Sequence, residues 1–153
     1  MLILGLDIAT RTGWVLGQPG EQPRYGLWRL KRPDDDVEAA AEEMARKIRD
    51  LCFIASDRPT MIAYEAPIPP YQNNGSDDRE RRIVRSVESI TLPQQAIGAL
   101  RGVAACYGIE CRPFHAATVR KHFCGKAHYG SSDQTKAAVM NRCRVLGYVP
   151  AGY

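Results

Sequence analysis

The chain has 153 residues, 44% of them hydrophobic and 25% charged, with a formal net charge of +4. That length suits one domain with its own core, residues 1–153, and the composition is that of an ordinary globular chain. No apolar stretch approaches the roughly 20 residues of a membrane span. The N-terminus shows neither a basic n-region nor a cleavage-like site.

Residues 2–7, LILGLD, form a short apolar run that reads as a buried strand. Residues 13–18 and 24–31 read as two more, and their short links favour an antiparallel meander. Residues 33–55 read as a helix, with acids crowding its start and bases following, as the helix dipole prefers. Its apolar stripe is Val37, Ala41, Met44, Ile48 and Leu51. A fourth strand spans 59–67 and is stopped by Pro67, Pro69 and Pro70. Residues 71–82 read as a polar loop, 93–108 as a small-residue helix and 109–114 as a fifth strand. A short helix at 116–123 and a loop at 124–132 follow. A last helix, 133–147, is closed by Gly147. The order βββαβαβα predicts an α/β fold with a mixed five-stranded sheet, its first three strands a meander, and helices on both faces.

Two acids stand out. Asp7 closes the first apolar run and Glu65 closes the fourth. Sites in open α/β sheets lie beyond the carboxyl ends of the strands. If strands one and four are neighbours, both carboxylates meet at one sheet edge and repel unless a cation lies between them. Mg²⁺ suits all-oxygen ligands, and Mn²⁺ substitutes readily. Paired ions of this kind cleave phosphodiesters by activating water and stabilising the leaving oxygen. Taken singly, each acid needs no more than a structural explanation, such as an Asx-type turn at Asp7.

The charge is unevenly spread. Residues 101–153 carry eight Lys/Arg against two acids, +6, which leaves −2 for the first 100 residues. A basic C-terminal half is the footprint of a polyanionic partner, although a solvated basic surface is the plainer account. The five cysteines are scattered, with no CxxC pair, and fit reduced thiols in a cytoplasmic protein. His122, Cys124 and His128 could be zinc ligands, but a fourth is not evident. Trp14 and Trp28 read as core residues of the meander. The Arg79–Arg85 run reads equally as a solvated helix start or a phosphate contact.

The segments ILGLDIATRTGWVL, YGLWRL, MIAYEAP and GALRGVAACYGIECRPFHAATVRKHFCGKAHYGSSDQTKAAVM, in that order, resemble the RuvC-like Holliday junction resolvases, particularly phage-type members. The resemblance implies a ribonuclease H-like fold and a homodimer that cuts four-way DNA with Mg²⁺ or Mn²⁺. Asp7 and Glu65 match metal-binding, catalytic acids of that family. Lys121 and the stretch GKAHYGSSDQTK resemble its lysine-bearing region, with Lys126 and Lys136 as the lysines; Arg120 joins them as an expected DNA contact. In the family, further metal-binding acids follow a G-Y-x-P segment in a D-x-x-D-A helix. This sequence reaches LGYVPAGY without that motif. The expectation is therefore weak metal binding and poor cleavage by residues 1–153, with junction binding kept. Asp133 lies in the preceding loop and takes no catalytic role. Two other readings compete: a non-catalytic DNA-binding module of the same fold, and, through DIATRTG, a fragment of an actin-like nucleotide-binding ATPase.

Overall fold

Leu4, Leu6 and Leu16 are the residues that force the first strands together. In the computed structural model, which describes residues 1–67 and 87–149, strand β1 (Ile3–Asp7) pairs antiparallel with β2 (Arg11–Gly17). Leu4 then lies opposite Leu16, and Leu6 opposite Trp14. Strand β3 (Arg24–Arg29) adds antiparallel to β2, completing the meander. The turn after β1 is fixed by Thr12, which is fully buried. Its hydroxyl donates to the Ala9 carbonyl at 2.8 Å and accepts from the Ala9 N–H at 3.3 Å.

Helix α1 (Val37–Phe53) starts where Asp36 caps it, accepting from the Ala39 N–H. Its buried stripe is Ala40, Met44, Ile48 and Cys52, an i, i+4 row rotated from the expected one. Val37 and Leu51 flank that row, half-buried, and Ala41 is also half-buried. A short 3₁₀ turn (Ala55–Asp57) leads to β4 (Met61–Glu65), which returns parallel to β1, so the sheet order is β3-β2-β1-β4-β5. Helix α2 (Val87–Cys106) precedes β5 (Glu110–Phe114), which lies parallel to β4.

α2 corrects one expectation. Pro93 suits a first helical turn, and the sequence points to a start there. The helix is already formed at Val87. Leu92 is buried on the same row as Ala96, Leu100 and Ala104, so packing draws the preceding turn into the helix despite the proline. The polar loop expected at 71–82 and the Arg79–Arg85 run lie outside the described residues.

α1 and α2 pack on each other, and their buried rows share one core with Leu4, Leu6, Leu16, Ile62 and Tyr64 from one face of the sheet. Trp14 and Trp28 pack against that core, their rings stacked with centroids 5.7 Å apart. Strand side chains alternate. The other face therefore carries Asp7, Gly13, Val15, Leu27, Ala63 and Glu65. Helices α3 (Ala116–Cys124) and α4 (Ser132–Val145) follow β5. Gly125, in the left-handed conformation, ends α3, and its N–H donates to the Lys121 carbonyl. Ser131 and Gln134 form a capping box at the start of α4. Gln22 Nε2 donates to the Gly147 carbonyl at 2.9 Å and ties the β2–β3 turn to the end of α4. All five cysteines are free thiols, and no helix among the described residues is long and apolar enough to cross a membrane.

Candidate metal and nucleic-acid site

The parallel pairing of β1 with β4 aligns Leu6 with Tyr64, so the next residues, Asp7 and Glu65, end neighbouring strands at the same level and on the same face. Adjacent strands are about 4.8 Å apart. Asp7 is exposed and Glu65 half-buried. Both line a cavity of about 190 Å³ whose other wall is the start of α2, with Ile90, Pro93 and Gln94. The sequence pattern puts Pro93 and Gln94 of this wall on a helix but not Ile90, because Pro93 reads as the helix start. The i, i+4 apolar row through Leu92 is the signal that could have extended it.

Burial pushes the Glu65 carboxyl above its ordinary value of 4.5, and the Asp7 carboxylate pushes it further; the Arg120 guanidinium pulls it back. Arg120, on α3, thus reaches the acids from beyond β5. Its Nε is buried with no hydrogen-bond partner. Lys121, Lys126 and Lys136 are exposed, on α3, on the α3–α4 loop and on α4 respectively. The structure brings Arg120 to the acids; it shows no contact linking the three lysines to them. The loop that carries Lys126 is held from within. The Tyr129 hydroxyl donates to the Cys124 carbonyl, and the Tyr129 N–H donates to the hydroxyl of buried Thr135.

A divalent cation fits this donor set in part. Mg²⁺ commonly takes one or two carboxylates and leaves its other positions to water and substrate phosphate. Asp7 and Glu65 are two such carboxylates. Among the described residues no group of three or more His, Cys, Asp or Glu is placed to hold a metal. His122, Cys124 and His128 therefore do not form a zinc site there.

The raised Glu65 value has a measurable consequence. The folded chain keeps the Glu65 proton where the unfolded chain has released it. Glu65 thus favours folding below its ordinary pKa, and that advantage is lost as pH rises toward the raised value. Without divalent cations, Glu65→Gln should flatten the dependence of Tm on pH from about 4.5 upward and raise Tm at neutral pH. If the two acids hold a divalent ion, Mn²⁺ should then stabilise the wild type more than the variant, because such an ion would bind only the folded chain. Parallel Tm profiles for the two proteins would contradict this electrostatic account.

The sheet order, the antiparallel meander and the acids at the carboxyl ends of two central parallel strands define a ribonuclease H-like fold. No protein-family model matches the chain, and no curated protein matches it in sequence. Among solved structures, Thermus thermophilus RuvC superposes with a TM-score of 0.64 at 16% identity, over 99% of this chain and 82% of that one. T. thermophilus RuvC in complex with Holliday junction substrate superposes with the same score and identity, over 93% of this chain and 79% of that one.

Proposed function

We propose that the protein is a metal-dependent endonuclease of the resolvase type, selective for branched DNA and acting as a homodimer. The observation that carries this reading is the pair Asp7 and Glu65, aligned at the ends of adjacent parallel strands in a RuvC-like fold and lining one cavity. The second solved structure shows that a protein of this fold holds a four-way junction.

In this reading Asp7 and Glu65 are the metal ligands, and their residual repulsion is what a cation relieves. A bound Mg²⁺ or Mn²⁺ would supply the Lewis acid that activates water and stabilises charge during phosphodiester hydrolysis. Arg120, whose charge acts on Glu65, would donate from its guanidinium to a phosphate oxygen at the site. Lys121, Lys126 and Lys136 extend the basic surface along the DNA backbone. A four-way junction has two-fold symmetry, so paired incisions need two copies of the site; a C₂ dimer supplies them.

The test is binding and cleavage of a synthetic four-way junction beside a linear duplex of the same sequence. The expected result is tighter junction binding that weakens steeply with salt, as phosphate contacts require, and cleavage only with Mg²⁺ or Mn²⁺. Junction binding without cleavage at any metal level would instead identify a DNA-binding module. Equal affinity for junction and duplex would remove the branched-DNA assignment.

A further inference from the structure

The register of the meander sets two arginines beside the acids. Asp7 faces Gly13 across the β1–β2 pair, and Arg11 is two residues from Gly13 on the same strand. Side chains alternate, so Arg11 shares the Asp7 face, about 7 Å further along the strand. Arg29 lies directly opposite Arg11 on β3 and therefore occupies the same face. Like charges directly opposite each other weaken a sheet. Both residues are exposed, and among the described residues neither side chain has a hydrogen bond or ion pair to offset this repulsion. Neither is among the charges that shift Glu65. By contrast, Arg24, Arg46, Arg49 and Arg112 all have a carboxylate partner.

The ground between the acids and this pair is low. Gly13 has no side chain, and a Cβ built there would meet only the Cβ of Asp7, at 3.9 Å. A polymer backbone can therefore lie close to the sheet along this row. Arg11 lies one strand and Arg29 two strands beyond Asp7, about 5 and 10 Å across the sheet, so a strand that crosses this face meets them after the acids.

We propose that Arg11 and Arg29 form a second phosphate-binding position, which holds the DNA strand to the β3 side of the phosphate at Asp7 and Glu65. The proposal rests on the nuclease reading and adds to it a direction: the bound strand crosses the open sheet face from Arg120, past the acids, toward β3. It also places a DNA contact in the first 100 residues, whose formal charge is −2.

The experiment measures the salt dependence of four-way junction binding for the full chain, for Arg11→Gln/Arg29→Gln and for Arg49→Gln as a control on α1. Each lost phosphate contact lowers the slope of log K against log salt by about 0.9. The double variant should therefore be shallower by about two, with the control unchanged. Its Tm should equal or exceed that of the wild type, because a repulsive pair has been removed. A double variant with the wild-type slope overturns the proposal and leaves the nuclease reading standing. A wild-type chain that binds no DNA overturns both. A slope change accompanied by a lowered Tm assigns the pair a structural role and also overturns the proposal.

Discussion

On the proposed function, the Asp7→Asn protein should bind four-way DNA at least as tightly as the wild type and cut it about 10²–10³-fold more slowly. Asp7 ends β1 with its side chain on the exposed face, and none of the buried core depends on its charge. Asparagine keeps the shape and removes the anion. Three effects follow from that single change. One of the carboxylates proposed to hold a divalent cation is lost, which would remove charge stabilisation at a phosphate bound there. A negative charge on the face proposed for DNA disappears, which should favour binding. The push that Asp7 exerts on the Glu65 carboxyl is relieved, so that Glu65 titrates closer to its ordinary value. Cleavage and affinity are measured on one junction in one buffer, with Tm as the check on folding. Undiminished cutting by Asp7→Asn would remove the two-carboxylate mechanism.

The largest stability effect is expected beneath the same strand. Leu4 is fully buried; Leu16 and Ile62, its register partners on either side, are 2% and 0% exposed. Leu4→Ala leaves a cavity that two flanking strands and the α1–α2 layer cannot readily close. Such truncations cost about 2–5 kcal/mol, which for a chain of this size lowers Tm by about 5–15 °C. Leu27 is the control. It lies on the opposite face, 65% exposed, and Leu27→Ala should change stability by about 0.5 kcal/mol or less. Similar losses from the two substitutions would mean that the sheet buries both faces equally, contrary to the burial seen here.

Much of the fold can be read from local pattern. All five strands are visible as apolar or alternating runs. α1 begins at an aspartate cap, and α4 ends before Gly147, whose φ is +71°. The start of α2 is obscured because a proline rule is local, whereas the burial of Leu92 is decided by the opposing helix. The stripe on α1 is displaced for a similar reason: Ala40 and Cys52, rather than Ala41 and Leu51, face the sheet, and small residues give periodicity little to separate them. Each acid of the site is conspicuous at the end of its apolar run. Their meeting is not, since it depends on β4 returning beside β1. Arg11 and Arg29 are harder still. They are 18 positions apart in sequence, and only the residue-by-residue register of two strand pairs sets them on the face of Asp7.

The crossover from β1 to β4 also governs when the protein can act. Asp7 and Glu65 are 58 positions apart, and the chain between them holds β2, β3 and all of α1. Contacts this distant in sequence form late, because the loop-closure entropy must be met before the pairing rewards it. A chain still emerging from the ribosome can have its meander and a nascent α1 while possessing half a metal site. Refolding should show the same order, with helical signal recovering first and the response to Mn²⁺ following only when β4 docks. If the protein is the nuclease proposed above, its partly folded forms have no cutting centre, and newly made or damaged chains pose little hazard to the DNA around them.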